Sequence, residues 1–143
     1  MIECTNSIEI RRPISTVAFY TANPDRATSW YKNIQRVTWH TPRPVQVGTK
    51  VEFEAQFMRR KMRYTYVITH YVPKKELIME ATDGPFPMRT TYQWQAISPE
   101  ITRMTLTNTG GNFKYFKRWM TAAMNRANQK DLKKLKQILE AHL

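Results

Sequence analysis

Three residues near the middle of the chain have side chains that can move protons or steady an enolate: His70, Tyr66 and Arg89. A histidine titrates close to neutral pH and serves as general acid or base. A tyrosine hydroxyl can donate to a developing oxyanion, and an arginine supplies a permanent cation for it. On one wall of a pocket the three would suit an enolisation or an aldol cyclisation. The same histidine could equally be a surface residue or a structural hydrogen-bonding group. A fourth residue, Asp131, stands near the centre of an apolar helical stripe in "KDLKKLK". An unpaired buried carboxylate is costly. Asp131 is therefore expected either to pair with a sheet arginine or stay partly exposed, or else to be a pocket carboxylate. Other chemistries find little support. His40, His70 and His142 lie on different segments without ligand spacing, so no metal and no cofactor is expected. Cys4 is the single cysteine, and neither a G-x-S-x-G elbow nor a P-loop occurs.

Charge is the second signal. The 143 residues carry 23 Lys plus Arg against 11 Asp plus Glu, a net +12, and residues 112–143 alone hold 8 positive and 2 negative charges. Such an excess attracts phosphates, carboxylates, acidic lipids or nucleic acid. In "NFKYFKRW" the cations Lys114 and Lys117 open a long helix, whose N-terminal N–H groups already favour anions. Hydrophobic content of 41% fits a globular core, and the length fits a single domain over 1–143. The lone cysteine fits a reducing compartment. No run of about 18 apolar residues is present, so no transmembrane segment is expected. The N-terminus lacks the apolar stretch of a signal peptide. Together these favour a cytoplasmic protein.

The elements that must hold these residues follow from periodicity. Residues 2–12 read as a strand, and "ISTVAFYTA" and "NPDRATSWYKN" as two short helices. Further strands are expected at 34–41, 50–58, 62–72, 77–82, 88–97 and 101–108. The clearest is 50–58, where Val51, Phe53, Ala55 and Phe57 alternate with Glu52, Glu54 and Gln56. From residue 50 onward the connections are short, which implies an antiparallel meander. "RRK" at 59–61 forms one of these turns, and its length is left open. A turn holding only Arg60 and Lys61 sets Tyr66 opposite Ala55 and His70 opposite Val51, facing inward. A three-residue turn brings Val67 and Thr69 inward instead. After Gly110-Gly111, residues 113–141 lack Gly and Pro and present Phe113, Phe116, Met120, Met124, Ala127, Leu135 and Ile138 on one helical face. The order is that of an α+β domain.

The segments "VGTKVEF", "YTYVITHYVPKKEL", "GPFPMRTTYQW", "ITRMTL" and "NQKDLKKLKQILE", in this order and spacing, resemble the START-like (SRPBCC) superfamily across essentially the whole chain. That superfamily includes the polyketide cyclase/dehydrase and birch-pollen-allergen types. The resemblance implies the helix-grip fold, in which a curved seven-stranded antiparallel sheet wraps a long C-terminal helix. Two short helices close one end, and an apolar cavity lies between sheet and helix. It implies binding of a hydrophobic or amphiphilic small molecule or lipid, with polyketide cyclase or aromatase chemistry as the alternative. Electrostatic binding of RNA or an anionic membrane is the third reading, although no nucleic-acid motif is present. Oligomeric state, monomer or homodimer, is left open.

On this fold the expected pocket walls are Phe53, Phe57, Tyr66, His70, Tyr92, Trp94, Met104, Phe116 and Met120, unless they simply fill the core. The expected mouth comprises Arg59, Arg60, Lys61, Phe86, Phe113, Lys114 and Lys117, arranged to hold an acidic head group. Phe86, stiffened by Pro85 and Pro87 in "DGPFPM", is expected to gate this mouth by packing toward Phe113 or Phe116.

Overall fold

Alternation of buried and wet residues builds the sheet. In the computed structural model, which describes residues 2–57, 59–83, 87–111 and 117–141 (backbone alone at 57 and 117), seven strands form one antiparallel sheet. They are β1 (Ile2–Ile10), β2 (Ile34–Trp39), β3 (Lys50–Phe57), β4 (Arg60–Val72), β5 (Glu76–Ala81), β6 (Met88–Ser98) and β7 (Ile101–Gly110). Their order across the sheet is β1-β7-β6-β5-β4-β3-β2. The helices α1 (Ile14–Ala22) and α2 (Ala27–Trp30) follow β1, with a 3-10 turn at Pro24–Arg26 between them, and α3 (Lys117–Glu140) closes the chain. This is the helix-grip arrangement expected from the sequence. The core comes from the inward residues of the strands, among them Val51, Phe53, Ile68, Leu77, Tyr92, Met104 and Leu106, packed under Leu132, Leu135 and Leu139 of α3.

The β3–β4 hairpin departs from both expected registers. Strand β4 begins at Arg60, not at 62. Arg59 takes the left-handed conformation (φ 66°) that short hairpin turns demand. Phe57 therefore faces Arg60 and Val51 faces Tyr66. Tyr64, Tyr66 and Ile68 point inward, with cross-strand partners different from those expected. Then the phase changes. Ile68 pairs with Met79, but His70 pairs with Ile78, so Thr69 is an extra residue in a β-bulge. Beyond it His70 turns to the outer face, 46% exposed at its side chain, with Nε2 at 3.3 Å from Glu76 Oε1.

The long helix lies against the sheet edge rather than across its middle. Its principal packing partner is β1. The contacts run in step along both elements. Cys4 Sγ donates to the Thr121 carbonyl (3.5 Å), Asn128 Nδ2 to Asn6 Oδ1 (3.2 Å), Lys136 Nζ to the Glu9 carbonyl (2.7 Å), and Arg12 Nε to the Leu139 carbonyl. At the end Glu140 Oε2 accepts the Arg11 backbone N–H at 2.8 Å.

At the C-terminal end of β7, next to the β1 edge, Gly110 is flanked by Ile2 and Met88. A Cβ there would stand 2.5 Å from Met88 Sδ and 2.7 Å from the Pro87 carbonyl oxygen. The sulfur can yield, but the backbone oxygen cannot move without shifting β6. Gly110→Ala is expected to cost roughly 1–3 kcal/mol, the usual range for overpacking. The check is urea denaturation, where the midpoint should fall with the slope unchanged.

Candidate functional site

Because α3 follows the β1 edge, space remains between it and strands β3–β6. A cavity of about 170 Å³ occupies that space. The helix contributes Met120, Met124, Ala127, Asn128 and Asp131, and the sheet contributes Phe53, Ala55, Met62, Tyr64, Tyr66, Met79, Met88, Thr90, Tyr92 and Asn108. Tyr31, Asn33 and Ile34 close it from the α2–β2 connection. Apolar cavities of roughly this size hold benzene-sized molecules.

The walls are aromatic on one side. Phe53 meets Tyr66 edge-on at 5.5 Å between ring centroids, and Tyr64 lies 6.2 Å from Tyr66. Trp30 stacks on Tyr31 at 4.0 Å and approaches Tyr92 at 5.9 Å. Two polar systems interrupt this surface. In the first, Thr90 Oγ1 donates to Asn108 Oδ1 (2.8 Å) and Asn108 Nδ2 to Asn128 Oδ1 (2.9 Å), continuing through Asn128 to Asn6. This chain crosses from sheet to helix and back, and it satisfies amide groups that burial would otherwise leave expensive. In the second, the Tyr31 and Tyr92 hydroxyls share a hydrogen bond of 2.6 Å beside Asp131.

Asp131 is 5% exposed. Its Oδ1 accepts the Lys32 backbone N–H at 3.1 Å. No salt bridge to a sheet arginine exists among the described residues, so that expectation does not hold. Burial raises its carboxyl from the ordinary 3.8 to about 6, with the Lys32 hydrogen bond opposing the shift. Burial also raises Tyr31, assisted by Tyr92 and Asp131, raises Tyr92 against the opposing hydrogen bond with Tyr31, and lifts Tyr66 to about 12. All three tyrosines are hydroxyl donors at neutral pH.

Of the residues singled out from sequence, the structure places Phe53, Tyr66, Tyr92 and Met120 on the cavity wall. His70 lies outside, on the reverse face, because of the Thr69 bulge. Arg89 is exposed on β6 opposite Glu80, one residue out of phase with the inward Thr90. Trp94 and Met104 face inward but too far along their strands. Trp94 Nε1 donates to Thr21 Oγ1 of α1 at 2.9 Å, and Met104 is fully buried, so both belong to the end that the short helices fill. Arg59, Arg60 and Lys61 are exposed at the β3–β4 turn, next to wall residue Met62. Phe86, Phe113, Lys114 and Phe116 lie outside the described residues, as do the side chains of Phe57 and Lys117. Sequence reasoning passed over Asn108 and Asn128, although their phase pointed to them. Asn108 shares the inward parity of Met104 and Leu106, and Asn128 sits three residues before Asp131 on the same helical face.

A family model described as polyketide cyclase/dehydrase and lipid transport matches residues 1–140. No curated protein sequence matches the chain. Among solved structures, a START superfamily protein from Mycobacterium smegmatis superposes with a TM-score of 0.86 at 8% identity, covering 99% of each chain. A protein from Thermus thermophilus does so at 0.82 and 17% identity, covering 98% of each. The Zhui aromatase/cyclase from Streptomyces sp. R1128 gives 0.81 at 12% identity, covering 96% of this chain and 93% of that one. At such identities the likeness is one of fold.

The raised carboxyl has a measurable sign. Between about pH 4 and 6 the folded state binds more protons at Asp131 than the unfolded chain does. Stability from this group is therefore present at low pH and is lost as pH rises through that window. Asp131→Asn keeps an oxygen for the Lys32 N–H and removes the charge. It should stabilise the protein at neutral pH by up to roughly 3 kcal/mol, two pKa units' worth. Below pH 4 the gain should vanish. Thermal melts of both proteins across that range measure it.

Proposed function

This chain belongs to the polyketide cyclase/dehydrase and lipid-transport family, and on that premise we propose that it binds a hydrophobic or amphiphilic small molecule in the cavity between α3 and the sheet. The observation that carries this reading is the cavity itself. Space is left beside a well-packed core, and its walls are methionine and aromatic side chains, the usual lining of small-molecule sites. No helix among the described residues is long and apolar enough to cross a membrane. The exposed cluster Arg59, Arg60 and Lys61 beside Met62 supports an anionic head group at the mouth, with the apolar part of the ligand inside.

A second reading, catalysis of the cyclase or aromatase type, is favoured by one specific arrangement. Polar groups converge inside the cavity at Asp131, Tyr31 and Tyr92, and a carboxyl shifted to about 6 suits acid–base work near neutrality. In that case the proton-transfer roles fall to these residues rather than to His70 and Arg89.

Binding of anilinonaphthalene sulfonate, and of phenylnaphthylamine, which lacks the sulfonate, tests the first reading by fluorescence. Ala127→Trp, which fills the cavity from the helix side, should weaken both probes at least about tenfold, the scale of one well-buried apolar group. Replacing Arg59, Arg60 and Lys61 by Ala should weaken the sulfonate alone, and added salt should have the same effect on the wild type. Full binding of both probes to a folded Ala127→Trp protein would remove the cavity as the site.

A further inference from the structure

The polar end of the cavity has an unbalanced hydrogen-bond inventory. Asp131 is a buried residue on the wall, and its carboxylate can accept several hydrogen bonds. Among the described residues it receives one, from the Lys32 backbone N–H to Oδ1, and Oδ2 has no partner. Tyr31 and Tyr92 together carry two hydroxyl protons. Their mutual hydrogen bond at 2.6 Å uses one of them. The other has no acceptor among the described residues. Both tyrosines line the same cavity as Asp131. Asp131 is near enough to push both hydroxyls toward higher pKa, and burial keeps them protonated. One wall therefore offers a charged acceptor and a neutral donor that the described residues leave open.

We propose that the cavity ligand is an apolar molecule bearing a hydroxyl group, which donates to Asp131 and accepts from the Tyr31–Tyr92 pair. A hydroxyl fits because it is donor and acceptor at one atom. A carboxylate end accepts only and is repelled by Asp131. A protonated amine donates only and leaves the tyrosine proton unused. With the aromatic wall of Phe53, Tyr64 and Tyr66 opposite, a phenol or a ring-bearing alcohol is the chemical class that satisfies every group. The inference rests on the cavity-binding reading above and adds the identity of the deep functional group. It is compatible with an anionic head at the mouth, because Arg59, Arg60 and Lys61 are exposed at the β3–β4 turn whereas Asp131 is buried on α3. Selection of the hydroxyl follows the ordinary logic of buried polar sites. A site built to hydrogen-bond a substrate hydroxyl rejects the analogue that lacks it far more strongly than an apolar pocket discriminates by shape.

The test uses three ligands of one skeleton: para-ethylphenol, ethylbenzene and para-ethylbenzoate, titrated into the intact protein by NMR above the Asp131 pKa. A purely apolar cavity would prefer ethylbenzene, the most hydrophobic of the three. The expected result is the reverse, with the phenol about tenfold or more tighter than either analogue, the scale of one hydrogen bond to a charged acceptor. Asp131→Asn, which retains the Lys32 contact, and Tyr92→Phe should each erase most of that preference while ethylbenzene binding persists. Asp131→Leu should do the same if it folds, which its amide spectrum reports. Equal or weaker binding of the phenol to the wild type overturns the proposal and leaves the cavity reading standing. So does a preference that survives in Asp131→Asn. Failure of all three ligands to bind, with no shift at cavity residues, overturns both.

Discussion

The structure depends on how one helix is tied to one strand. From Cys4 to Ile10, where β1 ends, is six strand steps, roughly 20 Å, and from Thr121 to Leu139 is eighteen helical steps, roughly 27 Å, with Arg11 and Arg12 carrying the contact past the end of the strand. Polar ties at the beginning, middle and end hold helix and strand together. With α3 fixed to the β1 edge, it cannot also sit down on β3, β4 and β5 at the far side of a twisted sheet. The cavity is the geometrical remainder of that choice. The short helices fill the remainder at one end, where Trp94 is pinned to Thr21, and leave the other end to small and flexible side chains.

Polar groups inside this remainder do different jobs. The chain Thr90–Asn108–Asn128–Asn6 is fully paired along its length and fixes how the helix sits over β6, β7 and β1. Such networks give uniqueness of packing more than net stability, since desolvation offsets much of what the bonds return. Asp131 is not of this kind. It keeps a charged group in a poor environment for one backbone hydrogen bond, and the protein would be more stable without the charge. Residues that lower stability without organising the fold belong to function more often than to structure.

Much of the architecture is legible in the sequence, because alternation and helical phase record which face of an element is buried. The strands from residue 50 onward, the long helix and the inward direction of Phe53, Tyr66 and Tyr92 all follow from it. Two kinds of information do not. Period-two patterning gives a residue's face but not its depth along the strand, so Trp94 and Met104 look the same as Tyr92 although they lie in the filled end. Local backbone irregularities also leave no mark when ordinary residues make them. The left-handed turn residue is Arg59 and the bulge residue is Thr69, with no glycine to announce either. One extra residue at 69 reverses the phase of β4 and carries His70 to the opposite side of the sheet. Asp131 was visible as an acidic residue out of place on an apolar stripe. Its lack of an ion-pair partner needed the fold, because the candidate arginines are distant in sequence.

Five of the eight methionines, Met62, Met79, Met88, Met120 and Met124, line one cavity. Thioether side chains are unbranched, polarizable and nearly indifferent among rotamers, so a wall made of them is closer to putty than to a mould. The helix and the tyrosines set where a ligand's polar atom must go, while the methionines let the remaining outline vary. A pocket of this construction trades shape selectivity for breadth. Related molecules differing in bulk could share it as long as they present the same polar atom in the same place.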